Sequence, residues 1–376
     1  MKRLFTIILS ALIILSPLSA FDFGGYFDNN SKISAPFGSD LSFDQANSIA
    51  LWISSPINEN FYIKAEGTYK FSYNYPSNNI THIADLDLLK ISGTIPLSKG
   101  SIDLAFGRFI YSDLTNTIFS QNCDGVSFKY STPSLAVSAY AGFTGLLNSN
   151  AVTILTETGK FTPKNEIYAL NAFYVPVVAS VSLPMLFLNQ TLAFQASGFV
   201  DVTGDLYNRV YATVDLSGPL ATFLFYDFST TFGTENFKNV MNYSNLSFSI
   251  FPTNNIYIST GVIYASGDHL GLKPFRGFSS HPVASEISLE ASNCLIPSLS
   301  ANISLLQSKM LVSVTGKGVF QFAADSIDAT GIQGDASVIY NIFPDFQVGL
   351  SGTVFKGFKD TSLDKFSATV KFAITF

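Results

Sequence analysis

Residues 61–73 alternate without a slip. Phe61, Ile63, Ala65, Gly67, Tyr69, Phe71 and Tyr73 take one set of positions, and Tyr62, Lys64, Glu66, Thr68, Lys70 and Ser72 take the other. Successive side chains of an extended chain point to opposite faces, so this segment shows one apolar face and one charged face. The end of the chain repeats the pattern. Phe366, Ala368, Val370, Phe372, Ile374 and Phe376 alternate with Lys365, Ser367, Thr369, Lys371 and Thr375. Residues 209–216 and 286–292 read the same way, as strands.

Composition decides what the apolar faces meet. Charged residues are 13% of the chain, about half the usual share, while 36 Phe and 17 Tyr are far above it. A water-exposed surface built this way would aggregate; a lipid-exposed one would not. Yet beyond residue 20 no stretch reads as a membrane helix. The most apolar one, 174–188, is interrupted by Pro176, Ser180, Ser182 and Pro184. A lipid-solvated chain without helices satisfies its backbone groups only by closing its strands on themselves. The expected fold is all-β, a closed antiparallel transmembrane β-barrel.

Residues 1–20 have the three parts of a secretory signal peptide. Met1-Lys2-Arg3 is basic, 4–15 is apolar apart from Thr6 and Ser10, and Leu18-Ser19-Ala20 follows Pro17. The apolar run is too short to cross about 30 Å of hydrocarbon, so cleavage after Ala20 is expected, leaving 21–376 as the barrel domain. With no Cys at that site, a lipid anchor is not expected. Losing Lys2 and Arg3 takes the net charge from −6 to −8, which argues against nucleic acid as a partner.

Eight prolines punctuate the chain: Pro56, Pro96, Pro133, Pro184, Pro219, Pro252, Pro297 and Pro344. Proline lacks a ladder donor and belongs in turns, so each is read as a short turn on the periplasmic side. The gaps between them, about 33 to 51 residues, hold two strands and a longer outside loop. The longer loops are read as 112–124, 148–165 and 267–282. Eight hairpins, a first strand at 21–27 running up to a second at 48–54, and a last strand make about 18, within a range of 16–20. A further turn at Thr315-Gly316-Lys317-Gly318 is the main source of that range. A chain of 376 residues is too short for a 22-stranded plugged transporter.

Three stretches resemble the Gram-negative porins: the terminal Lys371-Phe372-Ala373-Ile374-Thr375-Phe376, Phe106-Gly107-Arg108-Phe109, and residues 124–133, which end in Tyr130-Ser131-Thr132-Pro133. The resemblance implies an outer-membrane channel for passive diffusion of small hydrophilic solutes or ions. It implies that Phe372, Ile374 and Phe376 form the signal read by the outer-membrane barrel assembly machinery. It also implies outer-membrane lipid as the surrounding partner and a homotrimer as the usual assembly. In such porins the third outside loop folds inward. Its counterpart lies between Arg108 and Asp124, with Asp113 and Asp124 as acidic candidates, but it is short and lacks the family's acidic-aromatic-Gly-Gly stretch.

The alternation assigns Lys64, Glu66, Lys70, Asp103, Arg209, Asp215, Glu286, Glu290, Lys365 and Lys371 to the lumen. Asp85, Asp87 and Lys90 join them if a bulge near Leu88 shifts the register. Arg108, at a strand end, is read as a wall residue lining the pore, with a rim charge as the alternative. The signs are mixed, which suits a wet pore with transverse fields and equally an inner wall that merely pairs its charges.

Catalysis is not expected. Only His82, His269 and His281 are available; Asp268 neighbours His269, so an acid–base pair is conceivable there, but a solvated loop His is the expected reading. No spacing suggests a metal site, and no cofactor is expected. Two other functions remain open: a non-conducting surface barrel, adhesive or structural, and a fatty-acid-type transporter of apolar substrates. The latter would want an N-terminal plug longer than residues 21–47. Cys123 is read at the end of an outside loop and Cys294 beside the Pro297 turn. A membrane-spanning strand would then separate two free thiols, Cys123 being the more accessible.

Overall fold

The computed structural model describes residues 21–37, 40–144, 154–156, 159–161, 174–204, 206–323 and 326–376. The expected leader and most of the expected loop 148–165 lie outside the described residues. Eighteen antiparallel strands form one sheet. They are β1 Asp22–Pro36, β2 Ser42–Pro56, β3 Phe61–Tyr75, β4 Asn79–Leu97, β5 Gly100–Ser112 and β6 Ser120–Ser131. Next come β7 Ala136–Thr144, β8 Tyr174–Leu183, β9 Thr191–Asp201, β10 Arg209–Ala221, β11 Leu224–Glu235 and β12 Met241–Thr253. The ring ends with β13 Ile256–Ala265, β14 Cys294–Leu305, β15 Met310–Ala323, β16 Ser326–Phe343, β17 Phe346–Gly357 and β18 Lys365–Thr375. Each strand pairs with its neighbours in sequence, and β1 pairs with β18 from Tyr26–Thr375 to Pro36–Lys365, which closes the ring. Closure leaves no sheet edge at that junction for lipid to strand.

The first two strands are longer than expected, 15 residues each. Phe21, Phe376 and the connections at 57–60, 98–99, 254–255 and 344–345 lie at one end of the barrel. Polar turn chemistry shapes these connections. Asn58 Oδ1, for example, accepts from the amides of Asn60 and Phe61, both at 2.9 Å.

Seven of the eight expected Pro-marked turns lie at or near a short connection; Pro297 does not. It sits inside β14, facing Val262 of β13. Toward β15 the register skips from Leu295–Phe320 to Ser298–Lys317, so its missing N–H falls where the ladder is interrupted. The turn is at residues 306–309 instead, where Leu306, Gln307 and Ser308 take positive φ without Gly, Asn or Pro. The suspected turn at Thr315–Gly318 is uninterrupted β15. Residues 286–292 are not a barrel strand either. They belong to the connection 266–293 and form a single 3-10 turn, Ser285–Ile287, and a two-residue bridge, Leu289–Glu290.

This shift moves Cys294 to the long-loop end, at the start of β14, the same end as Cys123 in β6. The two thiols therefore stand at the same end of the barrel rather than a membrane's thickness apart. The thiols are nonetheless free and both are buried, Cys123 included, so it is not the accessible one. Their strands stand eight places apart in the ring, which puts them far beyond the ~7 Å that a disulfide needs.

The barrel's core is inside it. Ile118, Phe119, Ile154, Phe275 and Phe278, all from connections between strands, pack on Tyr140, Tyr174, Phe199, Tyr211 and Tyr243 of the inner wall. Phe278 stacks on Phe199 at 4.2 Å between centroids and meets Tyr174 edge-on at 4.8 Å. Such pairs each add about 0.5–1.5 kcal/mol beyond the burial of their area.

Candidate pore and its loop constriction

The inner face follows from the register. Lys64, Glu66, Thr68 and Lys70 of β3 pair with Lys90, Leu88, Asp85 and Ile83 of β4, with the extra residue, Asp87, taken up by a bulge. That bulge is where the sequence allowed for one. It lets Asp85 and Asp87 both face Lys70, at 4.0 and 3.6 Å. Lys64 sits 4.0 Å from Glu66 and over the Trp52 ring. Across the β1–β18 closure, Lys371 meets Asp28 at 3.2 Å. Asp103 accepts from Thr94 at 2.6 Å. Asp215 lies on the inner wall of β10, with Asp227 of β11 on the same face. Phe372, Ile374 and Phe376 face outward and are exposed.

Arg108 and Asp124 point the other way. They pair with each other across β5 and β6 on the face that carries Phe106, Ile110, Val126 and Phe143, all exposed and apolar. The lumen face of β5 carries Phe109 and Tyr111 instead. The outward face here holds a groove of about 520 Å³ lined by Leu89, Phe106, Val126 and Phe143 beneath Arg108 and Asp124. Arg108 is still 3% exposed, because the β4–β5 ladder stops at Leu89–Arg108. At that end its guanidinium reaches Asp85 at 4.0 Å as well as Asp124 at 3.4 Å. Arg108 and Asp124 therefore start from outward positions, with the Arg108 guanidinium reaching back to the inward-facing Asp85 where the ladder ends.

Asp113 is buried and occupied by its own loop. It accepts from the amides of Thr115, Ile118 and Phe119 at 3.0, 3.1 and 2.8 Å and from the Thr115 hydroxyl at 2.7 Å. These bonds curl residues 113–119 inward, and the amide of Leu114 donates to Gln195 on β9 at 2.8 Å. The expected inward loop exists, seven residues long rather than 112–124.

The larger inward element is the connection 266–293. Phe278 and Ser279 donate from their amides to Ile118 O at 2.8 Å, and Leu155 donates to Phe278 O at 3.0 Å, so three loops are stitched together. Arg209 lies beneath them, almost fully buried. It pairs with Glu235 at 3.1 Å and donates to Gly277 O and Leu155 O. Arg276 completes the group with two bonds to Glu235, at 2.8 and 2.7 Å. Arg209 thus faces inward but is covered by loops, not bathed in the pore.

The same connection also reaches the other side. Glu286, buried, accepts from Lys32 at 3.1 Å and Ser367 at 2.7 Å, and Lys365 donates to its backbone oxygen at 3.2 Å. Glu290 accepts from the His281 amide at 2.9 Å. Both carboxylates belong to the loop rather than to a wall strand. Lys32 and Ser367 sit on β1 and β18, half the ring away from Arg209 and Glu235 on β10 and β11. A cavity of about 270 Å³ separates the loop from the wall near Ile263, Ile296, Ser298 and Lys317, so the loop stands off as a bar. Two further cavities mark the wet lumen. One of about 410 Å³ lies by Ser127, Lys129, Ser138 and Ser180, and one of about 260 Å³ by Asn30, Lys32, Asp44 and Asn74.

The sequence reading missed Lys32, Glu235 and Arg276. Glu235 and Lys32 follow the inward alternation of their strands and were legible; Arg276 lies in a loop that carries no period. The suspected Asp268–His269 pair does not form. Asp268 binds Lys273 at 2.8 Å, and His269 Nε2 faces the Tyr264 hydroxyl at 3.2 Å. Among the described residues no cluster of His, Cys, Asp and Glu is shaped for a metal.

No protein-family model matches the chain. No curated protein matches its sequence. Solved structures do match. Pseudomonas aeruginosa OccK5 (OpdH) aligns with a TM-score of 0.64 at 12% identity, over 95% of this chain and 98% of that one. Pseudomonas aeruginosa OpdK with vanillate gives 0.64 at 10% identity, over 94% and 98%. OccK2 (OpdF) of the same species, in complex with glucuronate, gives 0.64 at 9% identity, over 95% and 98%. At such identities the likeness is one of fold, and the fold is that of the outer-membrane porins.

Proposed function

We propose that this chain is an outer-membrane channel for passive diffusion of small hydrophilic solutes or ions. One observation carries the reading: the closed ring has charged side chains along the inner face of β1–β4, while inward loops fill the opposite side and narrow what is left. A barrel meant only to display its loops has no need of a wet, charged interior. Two neighbours were crystallised with small carboxylates, vanillate and glucuronate, which fits passage of small polar solutes. Lumen charges of both signs favour weak ion selectivity, with a slight cation preference from the net negative charge.

Residues 1–20 would act as the export signal, leaving 21–376 as the barrel in outer-membrane lipid. Phe372, Ile374 and Phe376 would serve as the assembly signal, and a homotrimer is the assembly that the porin likeness suggests. Lys64, Glu66, Lys70, Asp215, Lys365 and Lys371 would line the water path. An enzymatic role has no support in the site. Planar-bilayer recording on residues 21–376, refolded to a heat-modifiable barrel, tests the reading. Stepwise conductance is expected; a folded barrel that never conducts would point to a surface protein instead.

A further inference from the structure

The bar across the lumen is held very differently at its two ends. At β10–β11 the hold is redundant: Arg209 and Arg276 share Glu235, and Arg209 also binds two loop carbonyls. At β18–β1 the hold converges on one loop residue, whose backbone oxygen accepts from Lys365 at 3.2 Å and whose carboxylate takes the rest. Glu286 Oε1 takes both Lys32 and Ser367, while Glu286 Oε2 is buried without a hydrogen-bond partner. The neighbouring contacts are weaker. Gln333 Oε1 faces the Glu286 amide at 3.5 Å, and Lys317 donates to Val283 O at 3.2 Å. Ser288, directly after the 3-10 turn, has φ 51°, a left-handed position costly for serine. The far arm, residues 282–290, is thus a short segment pinned at one residue, Glu286, by two bonds to its carboxylate and one to its carbonyl.

We infer that Glu286 is a specificity-determining residue, a clasp that sets the size limit of the pore by holding the far arm against β18 and β1. This rests on the channel reading above. With the clasp closed, solutes pass only between the bar and the β1–β4 wall. With Glu286 released, the arm is free to leave Lys32 and Ser367, and the passage widens toward β16–β18. Arg209 and Glu235 keep the other end in place, so the bar loosens without leaving the lumen.

Liposome swelling with uncharged sugars of increasing size reads the limit without interference from the altered charge. Wild type should admit small sugars and exclude larger ones. Glu286→Gln should move the cutoff upward and add open-channel noise in bilayers, and Lys32→Met, which removes the partner from the wall, should do the same. The swap Lys32→Glu with Glu286→Lys should restore the wild-type cutoff, while heat-modifiable mobility stays at the wild-type level in all three variants. An unchanged cutoff in both single variants would overturn the clasp. Wild type that admits no sugar and carries no current would overturn the channel reading instead, so the two failures are distinct.

Discussion

The ring of Phe376 lies against Gly25, and the two backbones exchange both hydrogen bonds, Gly25 N to Phe376 O at 2.8 Å and Phe376 N to Gly25 O at 3.0 Å. A Cβ at Gly25 would meet that ring at 2.7 Å. The last residue therefore finishes the closure of β1 on β18, and Gly25 leaves the space for it. Gly25→Leu and Phe376→Asp should both lower the fraction of barrel that shows heat-modifiable mobility, the first by collision and the second by placing a charge toward lipid. Phe376→Leu should assemble nearly as well as wild type. Normal yield of Phe376→Asp would remove the assembly role proposed for the chain's end.

Lys70 holds two carboxylates, Asp85 and Asp87, while Lys64 faces only Glu66. Lys70→Glu would gather three acidic groups at one height of the wall, and Lys64→Glu two. Reversal potentials should shift toward cations for both, further for Lys70→Glu, and both shifts should shrink in high salt as screening shortens the field. No shift for either would put these side chains off the ion path.

Although 266–293 is the longest described connection, most of it is folded inward. Its exposed tip is Leu270, 88% accessible. Protease added to intact cells should cut within 268–273 and spare residues 275–290. It should also spare the two-residue turns at 254–255 and 344–345. Cleavage at those turns would invert the orientation of the barrel.

Cys123 and Cys294 are both shielded by protein. An impermeant maleimide should label neither in the folded barrel and both after denaturation. Mass spectrometry of unreduced protein should find no peptide joining them. Such a crosslink would contradict strands placed eight apart in the ring.

The loop 358–364 carries the acid-sensitive structure. A hydrogen bond from Lys356 holds Asp364 below its ordinary value of 3.8, and the Ser362 side chain does the same for Asp360. Both groups are depressed in the folded state, so their contribution is present above pH 3.8. It is lost as pH falls through the lower folded values. The protection factor of the Gly357 amide, which donates to Asp364 at 2.8 Å, should be high at neutral pH and fall only below that window, once the intrinsic pH dependence of exchange is divided out. In Asp364→Asn the protection factor should be lower at neutral pH and nearly flat with acid.

Period-two alternation made the inner set on β3, β10 and β18 legible, because side-chain direction in a strand is fixed by the residue's own position and needs no distant partner. Aromatic content and the lack of a membrane helix fixed the closed barrel for a similar reason: backbone satisfaction in lipid admits few solutions. The same local logic misjudged Pro297, because whether a proline breaks a strand depends on whether the neighbouring strand needs its N–H, and β15 skips that pair. It could not place the Arg108 head group, whose burial depends on where the β4–β5 ladder ends. Nor could it place 266–293. That loop has no period, and the contacts that hold it join residues as far apart as Lys32 and Glu286. Only closure of the ring brings β1 and β18 to where the loop arrives, so the narrowing of the pore belongs to the tertiary structure.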